Sequence, residues 1–211
     1  EGNRYAAQAT SSRSDGTYWS IWVKDIPAFG YKKLILKPLK ESVPAGAKAE
    51  TFSLENKWYK IQTNPAKGTI SSWFDKDLSA ELVDTGSAYG FAEFILEKLG
   101  NRSQMESRKL DDYQRLPLDT VWFDAIVNGP VFNSIRFFGE SETAVGPRGY
   151  SIEIRLYNEE KLVEIACSLV KKSITDPESF YIAFPFYLSN GKHYTELQGG
   201  IIETGKDQIP G

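Results

Sequence analysis

Very few side chains in this sequence could supply a soft or borderline metal ligand or a readily activated nucleophile. His193 is the only histidine and Cys167 is the only cysteine. A zinc site needs several nitrogen, sulfur or carboxylate ligands on one centre, and these two residues do not have the spacing of a zinc motif. Cys167 also has no histidine nearby in the sequence that could activate it as a nucleophile. We therefore assign no catalytic residue and no metal ligand to the chain.

The sequence around the cysteine and the histidine predicts that neither residue is catalytic. Val163, Ile165, Cys167 and Leu169 alternate along one run, so they share a strand face, and Cys167 is predicted to be a buried core thiol. His193 lies in a glycine-containing turn, a setting typical of side chains that face solvent.

Four acidic residues, Asp75, Asp77, Glu81 and Asp84, lie close together in the sequence. A pair of carboxylates could serve as acid and base in glycoside hydrolysis, but that chemistry requires a defined separation between them. Nothing in the spacing of these residues sets such a separation. Charged side chains are rarely buried, so we predict a solvated face.

Aromatic residues on an exposed strand face could bind a sugar. In residues 18–23, alternation places Trp19 on one face and Tyr18 and Trp22 on the other, which also carries Ser20. A flat ring next to hydrogen-bonding side chains suits sugar recognition, so Tyr18 and Trp22 are predicted to bind carbohydrate. The alternative is that both rings pack on a neighbouring domain.

Charge and composition exclude several classes of partner. Lys and Arg total 25 against 28 for Asp and Glu, a net charge of −3, so no positive field draws in nucleic acid or a membrane surface. No run approaches the roughly 20 apolar residues of a transmembrane helix, and the first residues lack the order of a signal peptide. The start resembles mid-chain sequence, so an upstream signal stays open and the compartment is unknown, with secretion or a periplasmic location as options.

Short apolar or alternating runs rich in Ile, Val, Tyr, Phe and Trp recur between turn residues, which predicts a mostly β chain. Residues 89–99 fit a helix or a strand equally well, and residues 99–116 are predicted to be an exposed loop. The predicted strands cover residues 18–23, 31–38, 49–54, 59–63, 70–75, 119–127, 131–140, 151–157, 161–171, 181–186 and 196–202.

Turn residues predict hairpins and a domain boundary. Residues 64–68 (Asn-Pro-Ala-Lys-Gly) and 158–160 (Asn-Glu-Glu) each separate two strand-like runs. Residues 41–49 are rich in Pro, Gly and Ala and indicate a linker. The boundary near Lys48 divides a small β segment and linker, 1–47, from a large β-sandwich, 48–211.

Phe184 and Phe186 flank Pro185 at the end of a predicted strand. Alternation places both rings on one face, which we predict to be buried. Pro185 then points to the other face near a strand edge or bulge, because proline cannot donate a ladder hydrogen bond.

Several motifs in matching order resemble the C-terminal β region of glycoside hydrolase family 38, the α-mannosidase-like enzymes. Residues 26–31 read Ile-Pro-Ala-Phe-Gly-Tyr, as in the segment that opens this region. The sharpest match follows at residues 54–56 (Leu-Glu-Asn), 59–61 (Tyr-Lys-Ile) and 68–76 (Gly-Thr-Ile-Ser-Ser-Trp-Phe-Asp-Lys).

The resemblance implies an all-β fold, a large antiparallel sandwich like that of galactose mutarotases preceded by a short β segment. In the family, zinc and the catalytic carboxylates lie in an upstream α/β barrel supported by a helical bundle. The resemblance therefore implies an accessory domain that braces this barrel and contributes to carbohydrate binding. The chain stops at Gly211 where family members continue, so a truncated sandwich is expected.

Two alternatives stay open from the sequence. One is a stand-alone mutarotase or epimerase, although such enzymes use His and Glu together and this chain has one histidine. The other is a non-catalytic carbohydrate-binding module. The upstream sequence would decide between them, because a barrel with a His-x-Asp metal motif would identify the parent as a hydrolase.

Overall fold

The computed structural model describes residues 4–35, 37, 52–107, 111–189 and 191–207. Strands dominate these ranges, and the one helix among them is short. The elements in chain order are β1 (Ala7–Arg13), β2 (Gly16–Ile21), β3 (Ser53–Glu55), β4 (Tyr59–Asn64), β5 (Thr69–Asp75), β6 (Ala80–Glu81), β7 (Glu93–Leu99), α1 (Ser103–Ser107), β8 (Tyr113–Leu116), β9 (Thr120–Asn128), β10 (Phe132–Glu140), β11 (Tyr150–Tyr157), β12 (Val163–Leu169), β13 (Glu178–Ala183), β14 (Tyr194–Leu197) and β15 (Gly200–Glu203).

The largest sheet is antiparallel and has the strand order β12-β11-β10-β9. Its central strand β11 alternates throughout, with Tyr150, Ile152, Ile154 and Leu156 buried and the residues between them half-buried. This period of two places one complete face of the strand in the core. Ile154 lies opposite Ile135 of β10, so the buried faces of both strands coincide.

Two further sheets lie on the other side of the core. Strands β3-β4-β5-β6 form one and β13-β7-β8 form the other, and the isolated bridges Ile70–Phe91 and Val83–Phe186 join them. Buried side chains from these sheets and from the largest sheet form one cluster, which includes Leu54, Ile61, Ile70, Phe91, Leu96, Ile135, Phe137, Ile152, Ile154 and Leu156. The predicted all-β antiparallel sandwich is confirmed.

Both predicted hairpin turns are present. Residues 64–68 connect β4 to β5, and the N–H of Gly68 donates to the carbonyl of Asn64 over 2.8 Å. Gly68 has φ +66°, a conformation that favours glycine, and a Cβ there would press against Val121 at 3.1 Å. Residues 158–160 lie in the turn between β11 and β12.

The β1–β2 hairpin is fastened to the turn between β9 and β10. The side-chain oxygen of Gln8 accepts hydrogen bonds from the backbone N–H groups of Val131 and Phe132, over 3.1 and 3.0 Å. Gly129 leaves the space for this, because a Cβ there would collide with the Gln8 amide. We call this contact the Gln8 clasp. The predicted domain boundary near Lys48 lies outside the described residues and stays a prediction.

Several element predictions were wrong. Residues 31–35 and 37 of the predicted strand 31–38 form no strand, and the rest of that segment lies outside the described residues. Residues 196–202 do not form one strand, because Gln198 and Gly199 have positive φ and turn the chain between β14 and β15. Strand β1 was missed because its sequence, Ala-Gln-Ala-Thr-Ser-Ser-Arg, is polar with no apolar alternation.

The segment 99–116 is not an exposed loop throughout. It contains α1 and β8. Because β8 pairs with β7, residues 93–99 of the range that could have been helix or strand form a strand. The buried side chain of Gln104 organises this segment: its oxygen accepts the N–H groups of Asp111 and Asp112, and its nitrogen donates to the carbonyl of Asp112. In the described ranges no helix is long and apolar enough to cross a membrane.

The predicted burial of Phe184 and Phe186 was wrong. Their side chains are 49% and 41% exposed and lie beyond the end of β13, at the rim of the sandwich. Both rings nonetheless contact the ring of buried Phe91, with centroids 5.6 and 4.8 Å from it. The two rings therefore lie on the same side of the chain, as predicted, but cover the core rather than fill it.

Candidate functional site

Tyr18 and Trp22, the predicted carbohydrate-binding residues, both lie in the β1–β2 unit but differ in exposure. Tyr18 is 45% exposed, its hydroxyl donates to Asp15 Oδ2 over 2.8 Å, and the guanidinium of Arg13 lies 4.8 Å from its ring centroid. Trp22 follows the end of β2 and is half-buried, and its indole N–H has no acceptor within the described residues. Their role in sugar binding stays a prediction.

Trp19 presents more aromatic surface than either predicted residue. Its side chain is 58% exposed, and it pairs with Ala9 across the hairpin. Gln8 pairs with Ser20, so the face that carries Gln8 points to the sandwich and Trp19 lies on the outer face. Alternation had separated Trp19 from Tyr18 and Trp22, but sequence alone could not tell which face was outside.

The prediction of a buried thiol at Cys167 was wrong, because this residue is exposed. Cys167 lies on β12, an edge strand of the largest sheet, and none of the strands in the described ranges pairs with the free side of β12. Its neighbours Val163, Ile165 and Leu169 pack partly against the core, as their alternation indicates. Nearby protein still raises the pKa of the thiol through desolvation, although a hydrogen bond from buried Tyr150 opposes the shift.

His193 is exposed immediately before β14, which agrees with the predicted solvent-facing position. Its backbone carbonyl accepts the N–H of Thr204 over 2.8 Å. This contact is structural and extends the β14–β15 pairing.

The four clustered acids do not form one solvated face. Asp75 is 3% exposed, and its carboxylate accepts the N–H groups of Asp77 and Leu78 and the ammonium of Lys161. Burial opposes ionisation of Asp75, but these hydrogen bonds prevail and hold the pKa of its carboxyl below the ordinary value. The carboxylate therefore fixes a turn and is not free to act as an acid or base.

Glu81 has a similar structural task. Its carboxylate accepts the Ser72 hydroxyl over 2.6 Å and the N–H groups of Trp73 and Val83 over 2.7 and 3.0 Å. Burial works against ionisation, but the bonds to Ser72 and the backbone outweigh it and lower the pKa of Glu81. The prediction of a solvated face was wrong for Asp75 and Glu81. Both carboxylates accept hydrogen bonds from nearby backbone N–H groups and are held against the protein.

The outer face of the largest sheet carries an ion network that the sequence analysis did not find. Arg155 on β11 donates to Glu153 over 2.7 Å and to Glu164 of the neighbouring strand over 3.4 Å, and the hydroxyl of Tyr157 also donates to Glu164. Burial opposes ionisation of Glu153, but the bond from Arg155 lowers the pKa of its carboxyl overall. Alternate spacing of Glu153, Arg155 and Tyr157 on one strand was the available signal.

A polar cavity of about 470 Å³ lies where the end of β7 meets α1 and the start of β13. Carboxylates, cations and an amide line its wall. Its charged and polar members are Lys98, Arg102, Asp112, Gln114, Glu142, Asp176 and Glu178. No sequence motif indicates this cavity, because its members come from four separate segments that only the fold brings together.

Within the ranges that the structure describes, no three His, Cys, Asp or Glu side chains come close enough to hold a metal ion. The donor set of this part of the chain does not fit a zinc site.

Comparison with known proteins identifies the family. Residues 54–209 match the glycosyl hydrolases family 38 C-terminal domain. No curated protein matches the chain. The matched range runs from Leu54 in β3 to beyond the end of β15 and so covers all three sheets that build the core. The chain therefore belongs to the glycosyl hydrolases family 38 C-terminal domain family.

Proposed function

We propose that this chain is the accessory C-terminal sandwich of an α-mannosidase-like glycoside hydrolase, in which it braces an upstream catalytic α/β barrel and helical bundle. In this proposal zinc and the catalytic carboxylates belong to the upstream part of the same parent. The present chain contributes rigidity and contacts to carbohydrate.

The observation that carries the proposal is the family match over residues 54–209. That range supplies the whole core cluster, from Leu54 in β3 to Leu156 in β11. The packed body of this molecule is thus the unit that the family description names. A fold alone does not imply an activity, but a domain of a named enzyme family narrows the roles to those compatible with that enzyme.

The attachment of the β1–β2 hairpin supports a bracing role. An accessory domain can keep a neighbouring domain in position only if its own elements have a fixed orientation to one another. The buried Gln8 clasp holds the hairpin against the sandwich, and an exposed ion pair of 2.7 Å between Lys24 and Glu159 adds a second, weaker contact. Trp19 then points away from the sandwich with more than half of its surface exposed, and large aromatic side chains are frequent anchors of protein interfaces.

Exposed aromatic surface also supports a weak carbohydrate contact. Tyr18 combines an open ring with a hydroxyl bonded to Asp15, so one residue offers both a stacking surface and a polar edge. Trp22 is half-buried, so only part of its ring is open to solvent and its indole N–H is not. In the proposal both residues contact sugar at the edge of the hairpin.

The first test is hydrolysis by the purified chain. We expect only background rates on aryl α-mannosides, with added zinc and with chelator, because hydrolysis requires an aligned nucleophile and acid that the proposal places upstream. Turnover that depends on zinc and disappears in His193→Ala would show an internal catalytic site and refute the accessory role.

The second test is sugar binding, followed by tryptophan fluorescence during titration with methyl α-mannopyranoside. We expect a Kd of about 1 mM, typical of a small contact worth about 4 kcal/mol, and weaker binding in Tyr18→Ala and Trp22→Ala. Tyr181→Ala is the matched control, because Tyr181 is 49% exposed on β13 and lies outside the hairpin. A sub-micromolar Kd would instead indicate a dedicated sugar-binding module.

A further inference from the structure

Residues 26–35, which we call the 26–35 segment, hold four large apolar side chains in solvent. Phe29 is fully exposed, Tyr31 and Ile35 are 89% and 72% exposed, and Ile26 is also exposed. Single apolar residues are normal on a protein surface, but several close together mark an interaction site. The 26–35 segment therefore has the composition of a docking surface.

The backbone at Phe29 has a conformation that phenylalanine rarely adopts. The N–H of Gly30 donates to the carbonyl of Pro27 over 2.9 Å, which closes a turn with Phe29 at its third position. Phe29 has φ +56°, a left-handed value for which this position of a turn usually carries glycine. The turn thus holds a bulky ring out into solvent at the expense of backbone strain. Strain of this kind is concentrated at functional surfaces.

The residues after the turn alternate like a strand but have no strand partner. Tyr31, Lys33 and Ile35 are exposed, whereas Lys32 and Leu34 between them are half-buried. A period of two is typical of a strand with one face on protein. The backbone groups of these five residues form no hydrogen bond to any residue that the structure describes. Their N–H and C=O groups are therefore available to another strand.

The inward side of the 26–35 segment is attached to the rest of the chain. The ammonium of Lys32 donates to the carbonyl of Lys24 over 2.6 Å and lies 5.5 Å from the ring centroid of Tyr5. Lys24 in turn forms its ion pair with Glu159, in the turn between β11 and β12. The segment is thus fixed on one side, and its other side is open to a partner.

The charges of this region favour an acidic partner. Residues 4–35 and 37 carry six Lys and Arg side chains against two Asp, although the whole chain has a net charge of −3. Lys33 lies on the open side and forms no ion pair within the described ranges. A second copy of the chain is disfavoured, because a two-fold interface brings identical patches together and would place these cations against each other. Free strand backbone suits a partner that adds a strand of its own.

We propose that the 26–35 segment docks the upstream part of the same parent chain. In this proposal a strand with acidic side chains pairs with residues 31–35, and an apolar pocket of the same partner receives Phe29. The inference rests on the proposed function, from which it takes the parent. It deepens the bracing role by naming the surface through which this domain contacts the upstream part.

The test is hydrogen exchange followed by mass spectrometry, on the intact parent and on the 211-residue chain in parallel. We expect the amides of residues 31–35 to exchange at least about tenfold more slowly in the parent, because paired backbone amides open rarely. Phe29→Ala in the parent should remove most of this difference. Ile201→Ala is the matched control, because Ile201 is 76% exposed on β15 and lies outside the segment.

Phe29→Gly separates docking from a structural role. Glycine accepts the left-handed φ of this position, so the variant should not lower the melting temperature of the isolated chain. In the parent it should remove the protection of residues 31–35, because the ring that enters the partner is gone. A fall in the melting temperature of the isolated chain would show that Phe29 supports its own fold, and would overturn the docking role.

The outcomes separate this inference from the proposed function. Equal exchange of residues 31–35 in parent and isolated chain overturns the docking strand, while hydrolysis by the parent would still support the accessory role. Slow exchange in a parent that hydrolyses no mannoside supports docking and contradicts the proposed function. Protection that Phe29→Ala leaves unchanged overturns the assignment of Phe29.

Two other occupants are checked with the isolated chain. A dimer that sedimentation detects and Phe29→Ala abolishes would make a second copy the partner. Binding to vesicles of phosphatidylcholine and phosphatidylserine that Lys33→Glu abolishes would make an anionic membrane the partner. Either result would overturn the upstream part as the occupant, and we expect neither.

Discussion

Gln8 is a polar residue in a polar strand, and yet its side chain is 6% exposed. The two backbone N–H groups that it caps belong to Val131 and Phe132, which are themselves buried. We expect Gln8→Ala to lower the free energy of unfolding by about 1–3 kcal/mol, because it leaves buried donors unpaired. Chemical denaturation measures this loss. Ser12→Ala on the same strand is the control and should change stability by less than about 0.5 kcal/mol; equal losses in the two variants would contradict the clasp.

Gly129 offers an independent check on the Gln8 clasp. Gly129→Ala should destabilise the wild-type chain, because the new methyl group collides with the Gln8 amide. The same substitution should cost less in a Gln8→Ala background, where that collision is absent. A double-mutant cycle measures the difference. If the losses of unfolding free energy in the two single variants add up to the loss in the double variant, a methyl group at Gly129 does not collide with the Gln8 amide.

Asp75 should make stability depend on pH in the acidic range. Its pKa is lower in the folded chain than the ordinary value of about 3.9. A group with a lowered folded pKa stabilises the protein above its unfolded pKa, and this contribution is lost as pH falls through the folded pKa. We expect the free energy of unfolding to fall below about pH 4, and to fall less steeply in Asp75→Asn. Denaturant unfolding at a series of pH values tests this, and identical slopes would assign the effect to other carboxyls.

At the scale of elements, the aromatic contacts around Phe91 divide into buried and covering rings. Phe91 is fully buried, whereas Phe184 and Phe186 keep nearly half of their surface in solvent. We expect Phe91→Ala to cost about 3–5 kcal/mol, and each of the other two Phe→Ala changes to cost about 2 kcal/mol, because about half of the transfer and packing energy is at stake. Urea denaturation of the three variants provides the measurement. A loss at Phe184 as large as that at Phe91 would indicate that the rim is more tightly packed than the structure shows.

Strands with a clear period of two could be predicted from the sequence, and those without it could not. β11 alternates without a break and was predicted to within a residue, as were β4 and β5 with their Asn-Pro turn. β1 has no apolar face because a side-chain amide, rather than a hydrophobic residue, attaches it. Residues 31–38 have strand-like composition but no strand over their described part, because composition cannot supply a pairing partner.

The candidate sites were harder to predict than the fold for a related reason. Alternation places Tyr18 and Trp22 on one face and Trp19 on the other, but only the fold shows that Trp19 lies on the outer face of the hairpin. The polar cavity could not be found at all. The fold brings Asp112, Glu142 and Asp176 together from distant parts of the sequence. Their local spacing in the sequence therefore could not predict that they share a cavity.

At the scale of the whole molecule, stability should be uneven. β10 and β11 lie inside the largest sheet with neighbours on both sides, whereas β14 and β15 form a two-stranded sheet of their own. Two-stranded hairpins are at best marginally stable without support. We expect backbone amides of β14 and β15 to exchange with deuterium at least about a hundredfold faster than those of β10 and β11. Hydrogen exchange followed by mass spectrometry provides the comparison, and protection of β14 equal to that of β11 would show that the hairpin unfolds with the core.

The exposed position of Cys167 has a practical consequence for work on this protein. It is the chain's only thiol, so a maleimide dye or spin label attaches at one known point on β12 without any engineered substitution. The raised pKa of the thiol makes the reactive thiolate scarce at neutral pH, so labelling should proceed faster under mildly alkaline conditions. A reporter at that point would reveal, through changes in its mobility, whether a larger partner approaches the outer strand of the sheet.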